Sequence, residues 1–316
     1  MKIFLTGCAG FIGFHISKKL LEIGFSVVGI DNLNDYYDIK LKRSRLKVLE
    51  KFNQFKFYTM NLHQLEQLKK EKFNLAINCA AQAGVRLPVE NHTSYEISNV
   101  IGYRSFLEFC RKNQIKKIIY ASSSSVYSCI AKMPLSEEVE ITKTMSKYAE
   151  TKLFNEEASS EYAYANNTKI VGLRFFTVYG EYGRPDMAYY DFTKKIYKGE
   201  EITLFNKGKT TRDMTYIDDI VDGVLASINY INNEDFYHDI FNLGNGNPVE
   251  TLKLLSIIEK QIGKKAKKKF KDVKSEVACT YADLTKSKLK LNYFPKIKIE
   301  DGYKSFFSWC KQYHNL

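Results

Sequence analysis

Several residue types that mark specialised proteins are scarce in this chain of 316 residues. It has only five prolines, which argues against a disordered or fibrous protein. Its six cysteines are widely spaced, with neither a Cys-x-x-Cys pair nor an adjacent histidine cluster, so zinc binding and thioredoxin-like chemistry lack support. The cysteine pattern favours a reducing compartment, and we expect a cytoplasmic protein without a bound metal.

Long apolar runs are also missing. No stretch approaches the roughly 18 apolar residues of a membrane helix, and the apolar N-terminus carries regularly spaced glycines that indicate a turn rather than a signal peptide. Hydrophobic residues nevertheless make up 44% of the chain, which is enough for a sizeable core. At about 150 residues per domain, the length predicts one large or two modest α/β domains.

Arginine is scarce although the chain is basic. The 48 basic and 36 acidic side chains give a net charge of +12, and only eight of the basic residues are arginines. The lysines are spread along the chain except for a dense run from Lys264 to Lys274. This run predicts a solvated loop or an edge segment, with an anion-binding surface as the alternative. We expect neither a nucleic-acid partner nor a membrane partner.

The first half of the chain alternates β-branched or aromatic runs with amphipathic stretches, which predicts a doubly wound parallel sheet. After Arg174 the rhythm loosens, as is typical of a smaller mixed α/β domain. The expected strands are Lys2–Thr6, Ser26–Ile30, Phe55–Thr59, Asn74–Cys79, Ile115–Ala121 and Lys169–Arg174. The expected helices are Phe11–Ile23, Leu62–Lys72, Tyr95–Lys112, Met145–Ala165, Glu250–Ile262 and Ile299–Gln312.

Glycines occupy every third position after the first expected strand, at Gly7, Gly10 and Gly13. Glycine permits a tight turn and lets backbone N–H groups approach a pyrophosphate at the positive end of a helix. Asp31 ends the second expected strand, near the position of a carboxylate that binds an adenosine ribose. The combination predicts a Rossmann-type site, and because a carboxylate repels a 2′-phosphate, it favours NAD over NADP. The alternative is that Asp31 only caps the following turn.

Tyrosine and lysine occur four residues apart at Tyr36/Lys40, Tyr148/Lys152 and Tyr190/Lys194. With 22 tyrosines and 40 lysines, about three such pairs arise by chance, so the spacing alone proves nothing. Only Tyr148 opens an expected helix and follows a serine cluster, Ser122–Ser125, at the end of the fifth expected strand.

On a helix, Tyr148 and Lys152 share a face. An ammonium beside the phenol, with a positive nicotinamide nearby, is expected to lower the tyrosine pKa from about 10 towards neutral pH. Tyr148 is therefore a candidate general base, and a packed core tyrosine is the alternative.

These residues resemble the extended short-chain dehydrogenase/reductase family over the whole chain. A finer similarity, to nucleotide-sugar 4-epimerases of the UDP-glucuronate type, rests on five further segments. They are Ala80–Arg86, Gly172–Gly180, Gly183–Ala188, Arg212–Ile220 and Thr280–Asp283.

The resemblance implies an NAD-dependent isomerase that forms a homodimer, with 1–175 and 215–243 binding NAD and 176–214 and 244–316 binding a nucleotide sugar. It implies NAD contacts from Gly7, Gly10, Phe11, Ile12, Gly13, Asp31, Asn32, Asn61, Leu62, Ala80, Ala81, Gln82, Asn99, Tyr148 and Lys152. It implies substrate contacts from Arg86, Thr177, Arg184, Met187, Arg212 and Glu276. For Arg212 an ion pair with Asp213 or Asp218 remains an alternative, as an ordinary ion pair does for Arg86.

The same resemblance implies the reaction. Tyr148 would take the proton from the sugar O4 while NAD takes the hydride from C4, and the hydride would return to the opposite face of a 4-keto intermediate. Either Ser123 or Ser125 would hydrogen-bond O4, and alignment on Val126 favours Ser123. The expected substrate is UDP-glucuronate; the alternatives are a UDP-hexose, a UDP-N-acetylhexosamine or a nucleotide-heptose, release of a keto sugar, and a dinucleotide sensor without turnover.

Decarboxylases and 4,6-dehydratases of this fold place acids just before the Val-Tyr pair, where this chain has Ser124 and Ser125. Neither side chain supplies dehydratase acid–base chemistry. We therefore expect epimerisation, with the uronate carboxylate held so that it resists loss of CO₂.

Overall fold

The computed structural model describes residues 1–68, 71–85, 87–130, 132–273 and 278–316. The strands are β1 (Lys2–Thr6), β2 (Ser26–Asp31), β3 (Phe55–Thr59), β4 (Leu75–Asn78), β5 (Lys117–Ser123), β6 (Lys169–Phe175), β7 (Thr177–Tyr179), β8 (Glu201–Phe205), β9 (Thr211–Tyr216), β10 (His238–Leu243), β11 (Pro248–Glu250), β12 (Lys267–Lys271) and β13 (Cys279–Thr280).

The helices are α1 (Phe11–Glu22), α2 (Ile39–Leu49), α3 (Thr93–Tyr95), α4 (Gly102–Lys112), α5 (Lys147–Asn166), α6 (Ala188–Lys198), α7 (Ile217–Asn233), α8 (Thr251–Ile262), α9 (Thr285–Leu291) and α10 (Ile299–His314). In the part of the chain that is described, no helix is both long enough and apolar enough to cross a membrane.

A seven-stranded parallel sheet in the order β10-β6-β5-β4-β1-β2-β3 forms the centre of the protein. The strand order reverses between β1 and β4, and in such sheets ligands bind beyond the carboxyl ends of the strands at this point. The prediction of a doubly wound parallel sheet is confirmed. The six expected strands are present, with ends shifted by up to two residues.

Both faces of the sheet are covered, which explains the apolar composition of its strands. In β1, Ile3 and Leu5 point to one core cluster and Phe4 points to the other, as the alternation of a strand requires. Phe4 packs against Phe109 of α4, with ring centroids 4.6 Å apart. The helices beside the sheet therefore bury both faces.

The expected helices differ from the structure at two places. Leu62–Lys72 was expected as one helix, but the structure has a 3₁₀ helix over Leu62–Gln67, and residues 69–70 lie outside the described part. The expected helix Tyr95–Lys112 contains a π-helical stretch, Glu96–Ile101. Strand β10 and helices α2, α6 and α7 were not predicted.

Two smaller sheets lie beyond the main one. One has the order β11-β9-β13, with β7 also paired to β9, and the other pairs β12 with β8. Strand β12 is exposed along its whole length, so the middle of the lysine-rich run forms an edge strand, while Lys274 lies outside the described residues. Lysine on an edge strand opposes pairing with other chains.

A buried ion pair fastens α5 to the sheet. Arg174 of β6 donates from Nε and Nη2 to the two carboxylate oxygens of Glu156, at 2.8 and 2.7 Å. Both side chains are 5% exposed. Arg174 also donates to the Tyr127 hydroxyl at 2.6 Å, and Ser122 donates to Glu156 at 2.5 Å. The pair thus holds the helix that carries Tyr148 and Lys152.

We expect Arg174→Met to destabilise the protein by about 3–5 kcal/mol, because it leaves the Glu156 carboxylate buried without its partner. The measurement is the free energy of unfolding in urea. The control is Arg111→Met, which breaks an exposed pair with Glu108 and is expected to cost about 0.5 kcal/mol or less. Equal losses in the two variants would contradict the assignment.

Candidate functional site

The glycine turn joins β1 to α1 at the point where the strand order reverses. Gly7 has a φ of +74°, and a Cβ there would lie 2.7 Å from the Ala80 nitrogen. A Cβ at Gly13 would lie 2.2 Å from the Gly7 carbonyl oxygen. Among the described residues, a Cβ at Gly10 would have only two atoms of Gly7 within 4 Å, its direct chain neighbours left aside. The side of the turn at Gly10 therefore stays open. The turn therefore has room for a ligand beside the first turn of α1, which contains Phe11.

Asp31 lies at the end of β2 beside this turn. Its carboxylate accepts hydrogen bonds from the Ala9 nitrogen at 3.2 Å and the Leu33 nitrogen at 2.8 Å. The Lys42 ammonium lies 3.9 Å from the carboxylate and donates to Asn34 at 2.7 Å. Asp31 thus caps the following turn and also contacts the glycine turn, so the two interpretations of this residue are compatible.

The loops after β2 and β3 meet next to Asp31. Asn32 donates from Nδ2 to Oδ1 of Asn61 at 2.9 Å. Asn61 in turn caps the 3₁₀ helix that starts at Leu62, whose side chain is buried. The structure therefore places three predicted cofactor residues, Asn32, Asn61 and Leu62, near Asp31 at the carboxyl ends of β2 and β3.

Asn99 lies beneath the loop that follows β4 and is 1% exposed. It accepts from the Gln82 nitrogen at 2.7 Å and donates to the Gln82 carbonyl oxygen at 3.1 Å and to the Thr151 hydroxyl at 3.0 Å. The Ala80 nitrogen donates to Thr6 at 3.2 Å. Asn99 therefore holds the loop Ala80-Ala81-Gln82 in place beside the glycine turn.

The Ser-Tyr-Lys residues come together as the sequence predicted. Ser123 ends β5 and Tyr148 lies in the first turn of α5, which starts after its cap, Ser146. The Ser125 hydroxyl donates to the Ser123 hydroxyl at 2.9 Å, and a hydrogen bond with Ser123 lowers the pKa of Tyr148. Lys152 is buried, donates to the Ala121 carbonyl oxygen at 2.8 Å and lies 5.8 Å from the centroid of the Tyr148 ring.

The structure does not show the lowered pKa of Tyr148 that was expected from Lys152. Burial raises the pKa of Tyr148, while the charge of Arg184 and a hydrogen bond with Ser123 lower it in part. Burial also lowers the pKa of Lys152 to about 8. The Lys152 ammonium lies beside the Tyr148 ring and donates to the Ala121 carbonyl oxygen. Ser123 and Arg184 thus act against the effect of burial on the Tyr148 pKa.

Arg184 and Met187 belong to the loop between β7 and α6. Arg184 lies near enough to Tyr148 for their charges to interact, and Met187 is the cap residue of α6. Thr177 begins β7 and pairs in register with Met214 of β9. Thr177 and Met187 thus lie on the smaller sheet and its loops, and of the three residues Arg184 is the one with an interaction with Tyr148 among the described residues.

Arg212 lies on β9 and donates to the Thr211 carbonyl oxygen at 2.8 Å. The Asp213 carboxylate beside it is fully buried and accepts hydrogen bonds from the backbone nitrogens of Asn245, Gly246 and Ala282. Asp213 therefore connects β9 to the backbone at Asn245, Gly246 and Ala282. Two other predicted substrate residues, Arg86 and Glu276, lie outside the described residues.

Sequence reasoning missed Tyr36, Tyr95 and Asp186. Tyr36 donates to Asp186 at 3.1 Å, and Asp186 pairs with Arg184. Tyr95 lies 6.1 Å from Tyr148, measured between ring centroids. Asp186 lies two residues after Arg184 in Gly183–Ala188, one of the segments that carry the family resemblance. Tyr36 is far from this segment in the chain, and no motif pointed to it.

The described residues thus fit a dinucleotide along the glycine turn and a charged ligand above Tyr148. Asp31 and Asn32 lie at one end of the site, and Tyr148, Lys152 and Ser123 supply a proton acceptor, a cation and a hydroxyl at the other. Such a constellation can remove a proton from a ligand hydroxyl.

Comparison with known proteins gives a consistent result. A family model described as the NAD dependent epimerase/dehydratase family matches residues 3–244. A UDP-glucuronate 4-epimerase of Thermodesulfobacterium geofontis is 40% identical over 314 residues, which cover 98% of this chain and 95% of that protein.

Solved structures agree with the sequence comparison. The UDP-glucuronic acid 4-epimerase of Bacillus cereus, in complex with UDP-glucuronic acid and NAD, is 33% identical with a TM-score of 0.92 and covers 99% of this chain and 100% of its own. The UDP-glucose 4-epimerase of Thermotoga maritima, with UDP-glucose, is 27% identical with a TM-score of 0.89 over the same shares.

These findings confirm the predicted Rossmann-type fold, the NAD cofactor and the assignment as an enzyme. Since the family model spans most of the chain and the curated relative matches nearly its full length, the chain belongs to the NAD-dependent epimerase/dehydratase family.

Proposed function

We propose that this chain converts UDP-glucuronate into UDP-galacturonate by inverting C4 through a transient 4-keto intermediate. The observation that carries the proposal is that Tyr148 in the first turn of α5 lies beside Ser123 at the end of β5, with the Lys152 ammonium 5.8 Å from its ring centroid. A proton acceptor and a cation at one site suit a sugar that has both a reacting hydroxyl and a carboxylate.

Each residue of the site has one task in this proposal. The glycine turn and Asp31 would hold NAD, which would supply the acceptor and donor of the C4 hydride. Tyr148 takes the O4 proton and gives it back, and Ser123 holds O4 and keeps the tyrosine pKa from rising further. Lys152, held by the Ala121 carbonyl oxygen, supplies a positive charge beside the phenol.

A uronate suits the site better than a neutral hexose for two reasons. Arg184 offers a planar fork of N–H donors, which binds a carboxylate in a bidentate manner. A 4-keto uronate also loses CO₂ when its carboxylate is free to rotate into line with the carbonyl π system, so an enzyme that inverts C4 must hold this group. Ser124 and Ser125 supply no acid for dehydration.

We propose a division of labour along the chain. Residues 1–175 with 215–243, which contain the main sheet, bind NAD through the predicted cofactor residues. Residues 176–214 with 244–316 bind the nucleotide sugar, where Thr177 and Arg184 meet the sugar and Arg212 meets the diphosphate. Arg86, Met187 and Glu276 complete the proposed substrate set. The free state of all six cysteines supports a reducing compartment, and we propose the cytoplasm.

The test is to incubate the purified, NAD-loaded chain with UDP-glucuronate and to identify the products by NMR. We expect a C4-inverted uronate, with Tyr148→Phe retaining NAD but losing about 100- to 10,000-fold in rate, because the phenolic proton acceptor is gone. NAD content is measured after denaturation. Conversion of a neutral or acetylated nucleotide sugar in place of the uronate, release of a keto sugar, or near-normal turnover by the variant would contradict the proposal.

Ser123 and Ser125 are expected to differ in their effect on the pH profile. Removing the Ser123 hydroxyl raises the pKa of Tyr148, so the fall of kcat/KM at low pH moves to higher pH. We expect Ser123→Ala to lower kcat about 10- to 100-fold, consistent with a lost hydrogen bond to a charged group. Ser125→Ala is the matched control and is expected to shift the profile less. The opposite ranking would assign the O4 contact to Ser125.

We also propose that the chain forms a homodimer through the helices α4 and α5 and the π-helical stretch before α4. Ile97 and Ile101 are 44% and 48% exposed on this stretch, and Arg104 lies over the Phe154 ring at 5.0 Å. Exposed apolar side chains on neighbouring helices are typical of a surface that pairs with a second copy.

Sedimentation equilibrium is expected to give twice the chain mass of 36.6 kDa. Ile97→Glu with Ile101→Glu is expected to give the monomer, because two carboxylates would be buried in the interface. Leu289→Glu, at a residue that is 81% exposed on α9, is the control and is expected to leave the dimer intact. A wild-type monomer would refute the dimer without affecting the proposed reaction.

A further inference from the structure

The Arg184 side chain forms an ion pair with Asp186. Its Nε donates to one oxygen of Asp186 at 3.0 Å and its Nη2 donates to the other at 2.5 Å. The two side chains are 24% and 34% exposed. The hydrogen bonds and charge of Asp186 outweigh the effect of burial and raise the pKa of the guanidinium, so Arg184 stays charged.

This pairing uses only one edge of the guanidinium. Arginine has five N–H donors in one plane, and Asp186 engages two of them, one on Nε and one on Nη2. Three donors remain, and two of these, one on each terminal nitrogen, form a second fork of the right width for a carboxylate. Within the described parts of the chain, no hydrogen bond to that fork is found. One carboxylate thus orients the guanidinium and leaves an edge for another.

Tyr36 holds the carboxylate from the opposite side of the site. Its hydroxyl donates to the Asp186 oxygen that also accepts from Nη2, at 3.1 Å, and the Arg184 guanidinium lies 5.9 Å from its ring centroid. Tyr36 belongs to the loop after β2, five residues beyond Asp31. Tyr36 therefore connects the loop that follows Asp31 to the loop that carries Arg184.

The position of Tyr36 is itself tightly constrained. A Cβ at Gly84 would lie 2.3 Å from the Tyr36 hydroxyl oxygen, and Gly84 has a φ of +99°. The Tyr95 hydroxyl donates to the Gly84 carbonyl oxygen, and its ring packs beside Tyr148. Contacts therefore run from Tyr36 through Gly84 and Tyr95 to the proposed base.

The backbone before Arg184 is fixed by a second arginine. Arg45 of α2 is fully buried and donates to the carbonyl oxygens of Tyr182 at 2.5 Å, from Nη2, and of Gly183 at 3.3 Å. The same side chain donates to the Ala9 carbonyl oxygen in the glycine turn at 2.7 Å. The loop that carries Arg184 is thus anchored to the cofactor side of the site.

We infer that Asp186 and Tyr36 are positioning residues, which hold the Arg184 guanidinium so that its free edge meets the substrate carboxylate and so set the preference for a uronate over a neutral hexose. The inference rests on the proposed function, since it specifies how that site selects its substrate. Neither residue is required to touch the reacting atoms.

The test compares Tyr36→Phe and Asp186→Asn with wild type in the NAD-loaded chain. Phe keeps the ring over Arg184 and removes one hydrogen bond, and Asn keeps the shape of Asp186 but accepts only one of the two donors. Since hydrogen bonds to charged groups are lost, we expect KM for UDP-glucuronate to rise about 5- to 20-fold. We expect kcat to change about twofold or less, because Arg184 keeps its charge near Tyr148 and neither Ser123 nor Lys152 is altered.

Calorimetry with UDP-glucose supplies the second readout. This ligand has the same nucleotide but no carboxylate, so its Kd is expected to change about twofold or less in both variants. Asp191→Asn, which breaks an exposed pair with Lys195 on the adjacent helix α6, is the matched control and should alter neither ligand. Asp186→Glu, which retains a carboxylate, is expected to recover part of the loss that Asp186→Asn causes.

Two results would overturn the inference. Equal weakening of both ligands would show that the variants damage the site generally. Tighter binding of UDP-glucuronate to Asp186→Asn would show that Asp186 only competes with the substrate for the guanidinium charge. If the wild-type chain does not invert UDP-glucuronate, the proposed function is wrong. In that case calorimetry alone tests the inference. The inference fails if both variants bind UDP-glucuronate as tightly as wild type does.

Discussion

The parallel direction of seven neighbouring strands is the constraint on which the site depends. Because all of these strands point the same way, the segments that leave their carboxyl ends meet along one edge. The glycine turn leaves β1, Asp31 ends β2, the Ala80 loop leaves β4 and Ser123 ends β5. Residues that are far apart in the chain, such as Gly7 and Ser123, therefore lie at the same edge of the sheet.

Close backbone packing at the reversal of strand order adds a second restriction. Gly7 lies so near Ala80 that no side chain fits between them, and α1 approaches Gly7 even more closely at Gly13. The N-terminal end of α1 and the loop after β4 are thereby held side by side. This is the arrangement in which backbone N–H groups bind a pyrophosphate.

Burial determines the electrostatics around Tyr148. A phenol that is withdrawn from water holds its proton more firmly, so the site needs positive charge and hydrogen-bond donors to make the tyrosine useful as a base. Here these are Arg184 and Ser123, which come from different parts of the chain. Lys152 lies closer in sequence, and its ammonium, 5.8 Å from the centroid of the Tyr148 ring, donates to the Ala121 carbonyl oxygen. The ion pair of Arg174 with Glu156 keeps the helix that carries both residues against the sheet.

Much of the main sheet was predictable from the sequence, because strands that are buried on both faces are short apolar runs between amphipathic stretches. Strand β10 was missed, since half of its residues are polar. Helix α2 was missed because its lysines and arginines hide the apolar face, although Lys42 and Arg45 are themselves buried. The serine cluster, Tyr148 and Lys152 were found because their spacing and order along the chain are local properties.

The sequence by itself determined the doubly wound sheet, the glycine turn with Asp31, and the identity of the tyrosine, lysine and serines, since each of these follows from residue types at fixed spacings. Only the tertiary structure decided which serine bonds Tyr148, which cation acts on its pKa, and that Tyr36 and Asp186 hold Arg184. Such contacts join side chains from separate loops, and their distances depend on how the loops pack, which no local pattern specifies.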